Sequence, residues 1–161
     1  MWQYSSYSQI KPEVKRNFPF KHPRSDQLET ISEIVDAISQ GYKYIVLEAG
    51  TGTGKSAIAA TLSSIYDSSY ILTVTKQLQD QYLEDFSNLS LVKGRRNFQC
   101  RRDLDLSCDE GKCILGEDAC ENPNTDCDYF MQKFNALNSK TVISNYHYMF
   151  LELNYVGDFT K

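Results

Sequence analysis

Two groups of residues in this chain have types and spacings that can do chemistry. The first is the run Tyr44-Ile-Val-Leu-Glu-Ala-Gly-Thr-Gly-Thr-Gly-Lys-Ser-Ala-Ile58. Within it Ala49, Gly50, Thr51, Gly52, Thr53, Gly54, Lys55 and Ser56 satisfy the pattern Ala/Gly-x4-Gly-Lys-Ser of a phosphate-binding loop. Glycines at 50, 52 and 54 let backbone N–H groups turn inward toward phosphate oxygens. A helix opening at Lys55 would offer its positive end to the same anion. Lys55 is placed to reach the β- and γ-phosphates, and the Ser56 hydroxyl to ligate Mg2+. The competing reading is a glycine-rich turn that binds nothing. An apolar strand before the turn and a helix after it argue against that reading.

The second group is the cysteines Cys100, Cys108, Cys113, Cys120 and Cys127, which are all the cysteines of the chain. Zinc ribbons and fingers mostly use close Cys-x2–4-Cys pairs. Only Cys108 and Cys113 come that close, with four residues between them, and no second pair matches. Four thiolates spread over one loop suit an iron–sulfur cluster better, with zinc as the alternative. Free buried thiols are the plainer reading, and the polar, acidic surroundings speak against it. The odd count would leave one cysteine unpaired under any disulfide scheme.

Two weaker signals flank these. Arg24 and Gln27 form Arg-x2-Gln at a helix start, where the donors and acceptor of a carboxamide suit an adenine edge. Thr75-Lys-Gln-Leu78 follows an apolar strand, on the side where open parallel sheets bind ligands. Either pair is also explained as solvated surface.

The elements that must position these groups follow from the hydrophobic pattern. Residues 1–23, with aromatic, basic and proline residues, read as an extended entry or a short edge element. Pro23-Arg-Ser-Asp26 reads as a helix start capped by Ser25 or Asp26, with Leu28, Ile31, Ile34, Val35 and Ile38 at helical spacing to Gly41. Tyr44–Leu47 reads as a buried strand, followed by the loop and its helix. Tyr70–Thr75 is a second strand and Thr75–Phe86 a helix with Leu78, Tyr82, Leu83 and Phe86 on one side. From Lys93 the composition changes: Lys93, Arg95, Arg96, Arg101 and Arg102 crowd around Cys100, and 103–128 is acidic and without apolar period. A segment so long and patternless needs something other than apolar burial to hold it. Tyr129–Leu137 then reads as a helix, Lys140–Ser144 as a third strand and Asn145–Leu153 as a further helix before a loose tail. The alternation implies an α/β domain with a parallel sheet.

Composition bounds the rest. A chain of 161 residues with 41% hydrophobic content holds one domain, or one with an insertion. The net charge of −4 makes any nucleic-acid surface local. No apolar run is long enough to span a membrane, and Met1–Ser5 does not open a signal peptide. The expectation is a cytoplasmic or nucleoid-associated protein, in which clustered cysteines favour metal over disulfides.

In sequence order these features are Arg24-Ser-Asp-Gln27, Glu48–Ser56, Thr73–Leu78, Lys93-Gly-Arg-Arg-Asn-Phe-Gln-Cys100, the cysteine loop ending Cys127-Asp-Tyr-Phe130, and Val142-Ile-Ser-Asn-Tyr-His-Tyr148. Together they resemble the N-terminal portion of an XPD/DinG-type superfamily 2 iron–sulfur DNA helicase, from about residue 22 onward. The resemblance implies a RecA-like P-loop domain with a parallel sheet, interrupted by a cysteine-rich iron–sulfur insertion. It implies ATP and Mg2+, a 4Fe-4S cluster, 5′→3′ movement on single-stranded or forked DNA, and a place in DNA repair. The motor domain would occupy 1–92 and 131–161, with the insertion at 93–130. Arg24, Gln27 and Ala49–Ser56 would hold nucleotide, Lys55 and Ser56 acting on its phosphates. The family pattern sets Cys100 and Cys127 as the outer cluster ligands. The even spacing of Cys113, Cys120 and Cys127 then selects Cys113 and Cys120, leaving Cys108 spare, although exchange of Cys108 for Cys113 stays open.

In that family a strand ending Asp-Glu-Ala-His supplies the carboxylates that hold Mg2+ and position water, and it would follow after Lys161. Asp109-Glu110 lies in the cysteine loop without a preceding strand. The expectation is an N-terminal piece, inactive or nearly so by itself, with a separate C-terminal helicase half as a further partner. The alternatives are a non-catalytic module that binds single-stranded DNA or a protein partner and keeps a vestigial P-loop, and a small P-loop kinase with the cysteine loop as its lid.

Overall fold

The computed structural model describes residues 10–115, 120 and 126–159. The start of the entry segment, parts of the acidic loop at 116–119 and 121–125, and the final two residues of the tail lie outside the described residues. The chain divides into two compact units, 1–67 and 68–161, each with its own apolar cluster.

The first unit is helical. Helix α1 (Pro12–Asn17) begins on a proline, whose fixed φ suits the first helical turn, and its Val14 is wholly buried. Helix α2 (Gln27–Ser39) and helix α3 (Lys55–Ile65) pack on it. Val14, Ile31, Val35 and Ile58 form the centre, with Leu28, Ile34, Leu62 and Ile65 around them. Lys11 joins this arrangement from the chain entering α1, with an ion pair to Asp36 at 2.7 Å.

Two expectations for this unit need correction. The segment 12–17 is a helix and not an extended or edge element. More consequentially, Tyr44–Leu47 is not a strand: it has no ladder, and Tyr44 and Val46 stand 90% and 95% exposed. An apolar, β-branched run becomes a strand only when a neighbouring strand accepts its backbone hydrogen bonds. Among the described residues none does.

The second unit carries the sheet. Strand β1 (Ser69–Thr73) and strand β2 (Ser90–Leu91) flank strand β3 (Thr141–Asn145), all parallel. The central strand is buried through Ser144, as a fully covered parallel strand should be. Helix α4 (Lys76–Asp85) connects β1 to β2 and is capped by Thr75, whose hydroxyl accepts the Leu78 N–H at 3.3 Å. Its inner face is Gln79, Tyr82, Leu83 and Phe86, one position round from the expected stripe, because Leu78 is exposed. Two 3-10 turns, Arg95–Asn97 and Lys112–Leu115, punctuate the cysteine loop. Helix α5 (Asp128–Leu137) leads to β3. Helix α6 (Tyr146–Leu151) is capped by the Asn145 carboxamide oxygen on the Tyr148 N–H at 2.7 Å, and runs on as a π-turn, Glu152–Val156.

A buried polar group ties α5 to that π-turn. The Lys133 ammonium lies 2.8 Å from Glu152 Oε1 and 2.7 Å from Asp158 Oδ2. The Tyr129 and Tyr148 hydroxyls meet at 3.1 Å beside it. Burial would lower the Lys133 pKa, but hydrogen bonds to Asp158 and Glu152 outweigh it and raise the value above the ordinary 10.5. Among the described residues no helix is long and apolar enough to cross a membrane.

Candidate functional site

The glycine-rich loop is closed on itself. Gly52 and Gly54 adopt φ of 82° and 84°, a region that side chains disfavour, and Gly54 caps α3. Thr53 Oγ1 donates to the Gly50 carbonyl at 2.9 Å. Lys55 Nζ donates to the carbonyls of Ala49 at 2.9 Å and Gly50 at 2.7 Å. The lysine thus lies over the loop from which it would contact phosphate. Gly50–Thr53 and Lys55 are exposed, whereas Ser56 is half-buried at the start of α3.

Arg24 and Gln27 are placed differently from one another. Arg24 is exposed. Gln27 is buried, and both ends of its carboxamide are engaged: Oε1 accepts the Arg24 N–H at 2.7 Å, while Nε2 donates to the Thr53 carbonyl at 3.0 Å.

In the second unit the parallel strands all end on one edge. Their exits are Val74-Thr75-Lys76 after β1, Val92-Lys93-Gly94-Arg95 after β2, and Tyr146-His147 after β3. This edge gathers the start of the expected Thr75-Lys-Gln-Leu78 stretch and the basic cluster. Much of that basic charge is already engaged. Lys93 pairs with Asp80 at 2.7 Å and Arg101 with Asp128 at 2.5 Å. The Arg95 guanidinium lies 4.9 Å from the centre of the Tyr129 ring and 5.1 Å from that of Phe130. Phe98 is half-buried against Tyr129 in an edge-on contact. Arg96 stands exposed.

The cysteines converge although they come from a long stretch of chain. Gln99 and Ser107 form an isolated antiparallel bridge; beside it Cys100 N–H donates to the Leu106 carbonyl and Cys108 N–H to that of Phe98. Cys108 is only 6% exposed; its thiol donates to the Gln99 carbonyl at 3.4 Å and lies 3.8 Å from Cys127 Sγ. Burial, with the Cys127 contact, pushes the Cys108 thiol up to about 12. Cys100, Cys113, Cys120 and Cys127 are half-buried. A cavity of about 210 Å3 is lined by Cys100, Cys113 and Cys120 with Arg102, Asp103 and Lys112. A smaller one touches all five cysteines. Gly111 lies beside this space: a Cβ there would be in ordinary van der Waals contact, 3.6 Å, with both Cys100 Sγ and Cys113 Sγ. Among the described residues no three His, Cys, Asp or Glu side chains are set around a single metal ion. Gly111 and the Arg95–Tyr129–Phe130 contact were not singled out from the sequence. The one available hint was the glycine two residues before Cys113.

Asp109-Glu110 is a local turn. The Ser107 hydroxyl donates to Asp109 Oδ1 at 2.5 Å and to Glu110 Oε2 at 2.7 Å. That hydroxyl and the Ser107 N–H hold the Glu110 carboxyl below its ordinary range.

A glycine-rich loop closing onto the N-terminus of α3 has the form of a phosphate-binding loop. The family model described as the type III restriction enzyme res subunit (ResIII) matches residues 20–155, and the chain belongs to that family, a superfamily 2 helicase-type domain. No curated protein and no solved structure matches it. Family membership carries ATP and Mg2+ as the energy source and nucleic acid as the partner.

Proposed function

We propose that the chain is the nucleotide-binding and iron–sulfur portion of an XPD/DinG-type DNA helicase, acting on single-stranded or forked DNA. The observation that carries this reading is the convergence of cysteines spread from Cys100 to Cys127 on one small cavity, next to the basic exit of β2. Apolar burial explains only part of that convergence: Cys108 and Cys127 pack with Val92, Tyr129 and Phe98, while 103–105 and 109–110 are exposed. Cysteine side chains from Cys100 to Cys127 around one open space offer the sulfur donors that an iron–sulfur cluster takes.

Cys100, Cys113, Cys120 and Cys127 would hold the cluster. Cys108 is the spare, because its side chain is buried and its thiol is spent on the Gln99 carbonyl. When bound, a 4Fe-4S cluster ties four distant points of a loop together through iron–thiolate bonds. The chain's own residues do the rest. Lys55 would exchange the carbonyls of Ala49 and Gly50 for the β- and γ-phosphates of ATP, and Ser56 would offer its hydroxyl to Mg2+. Thr75, Lys76 and Arg96, on the strand-exit edge, take phosphates of the DNA strand without reading its sequence. The motor domain spans 1–92 and 131–161 around an insertion at 93–130, and 5′→3′ movement, a separate C-terminal half and a repair role come from the resemblance alone.

ATP turnover by the 161-residue chain, measured with and without single-stranded DNA, tests the reading. The expected rate is near background and rises with DNA, because Asp109-Glu110 is held in its own turn by Ser107. No response to DNA would favour the binding module. Phosphoryl transfer to a small acceptor without DNA would favour the kinase.

A further inference from the structure

The exit of the central strand carries two aromatic rings that neither the phosphate loop nor the cysteine cavity uses. Tyr146 and Phe150, one turn apart on α6, stack on each other with ring centres 6.2 Å apart and planes 29° from parallel. They stay 45% and 58% exposed. We propose that this pair is a platform on which an unpaired base of single-stranded nucleic acid stacks. The inference rests on the nucleic-acid reading above and assigns residues to it.

Strand register places the pair. Thr73 of β1 lies beside Asn145 of β3, so Tyr146 leaves the sheet next to Val74, which is 79% exposed. On the other side Leu91 of β2 lies beside Ile143, and the Val92 N–H donates to the Ile143 carbonyl at 3.0 Å. Beyond Val92 the chain meets α6: a Cβ on Gly94 would be in van der Waals contact with the Tyr148 ring, 3.6 Å from its Cδ2. Tyr146 therefore stands at the middle exit of the edge. Neighbouring strands are about 4.8 Å apart, so the three exits lie side by side. Thr75 and Lys76 are exposed on one flank and Arg96 on the other.

The two sides of α6 have different surroundings. Tyr148, Met149 and Glu152 are buried, and the Tyr148 hydroxyl meets that of Tyr129 at 3.1 Å. This fixes the opposite side, with Tyr146, His147 and Phe150, toward solvent. No Lys, Arg, Asp or Glu lies among those three, whereas both flanks carry cations. Single-strand binding divides its work in the same way: cations take the phosphates and a ring takes the base, without reading sequence, because every base has a face to stack. Phe98 and Phe130 are engaged elsewhere, each edge-on against Tyr129. Leu151, Leu153, Tyr155 and Val156 extend the exposed apolar surface along the π-turn. A protein partner would cover that whole surface; the position of the stacked rings between two basic exits favours a nucleobase.

Binding of the 161-residue chain to oligo-dT is compared with binding to an abasic oligomer of the same length, which keeps the phosphates and lacks the bases. The wild-type chain should prefer oligo-dT by about tenfold, the order that one stacked base contributes. Tyr146→Ala should remove most of that preference, and Phe150→Ala should reduce it. Both variants should leave abasic binding and its salt slope unchanged, which also shows that they fold. Tyr146→Phe keeps the ring and should keep the preference. A fluorescent purine placed in the oligomer should be quenched by the wild type and not by Tyr146→Ala. Equal wild-type affinity for the two oligomers, or an undiminished preference in Tyr146→Ala, would overturn the platform and leave the phosphate contacts standing. Binding of neither oligomer would overturn it together with the nucleic-acid reading of this edge. A dimer in sedimentation that Tyr146→Ala dissolves, with the preference for bases unchanged, would make this face a contact between copies of the chain and overturn the proposal.

Discussion

At the scale of single residues, two side chains are buried for different reasons. Gln27 is saturated with hydrogen bonds, whereas Gln79 on α4 is fully buried and neither amide atom has a partner among the described residues. A buried amide without partners costs about 1–3 kcal/mol on mutational scales. Gln79→Met, close in volume and apolar, should therefore raise stability by about 1–3 kcal/mol in urea unfolding; a loss would show that a polar partner of Gln79 exists. Neither role was legible in the sequence. Gln27 was identified as a site residue, but the groups a carboxamide bonds are set by distant backbone, here Thr53 and Gly54. Gln79 was not singled out, because the expected stripe of Leu78, Tyr82, Leu83 and Phe86 did not include it. The cysteines make the clearest prediction at this scale. Cys108→Ser should keep bound iron, and Cys120→Ser should lose it, as read by iron content after anaerobic reconstitution. Loss in Cys108→Ser with retention in Cys113→Ser would exchange those two assignments.

At the scale of elements, most helix positions were readable and the pairings were not. The expected Ser25 or Asp26 cap forms no side-chain bond at Asp26, and the α4 face is turned by one position. Thr75 and Asn145 cap α4 and α6 with local side-chain hydrogen bonds, which depend on sequence neighbours alone. Replacing either by alanine should cost about 1 kcal/mol, checked by thermal unfolding. By contrast, β2 has only two residues and takes its existence from β3 beside it, so no pattern announces it. Tyr44–Leu47 fails for the converse reason: it has strand composition and no ladder. The junction of α5 with the π-turn rests on Lys133, Glu152 and Asp158. Lys133→Met would leave the Glu152 carboxylate buried and uncompensated, an arrangement that costs about 3–5 kcal/mol. Because the folded Lys133 pKa is raised, its contribution is fully present below 10.5 and is lost as pH rises through the elevated value. The stability difference between wild type and Lys133→Met should accordingly be flat from neutral pH to about 10 and shrink above it. A difference that shrank on acidification toward neutrality would contradict this.

At the scale of the whole molecule, the parallel α/β class and the helicase-type family were legible because the P-loop, the Asn-Tyr segment and the cysteine loop each carry local chemistry in a fixed order. The strand-exit edge was not, because it gathers Thr75–Lys76 and Val92–Arg95 only once the sheet order is known. The engaged state of Lys93 and Arg101 was also hidden, since their partners Asp80 and Asp128 lie far off in sequence. These ion pairs lower the expected salt dependence of DNA binding: charge reversal at Arg96 should weaken binding of single-stranded DNA and flatten its salt slope, while reversal at Lys93 should alter it less. The central claim is that the cysteine-lined cavity holds an iron–sulfur cluster within a helicase-type domain. Iron, acid-labile sulfide and zinc measured on anaerobically reconstituted protein test it most directly. About four irons and four sulfides per chain, with a brown colour, are predicted; a colourless protein holding stoichiometric zinc would contradict the account.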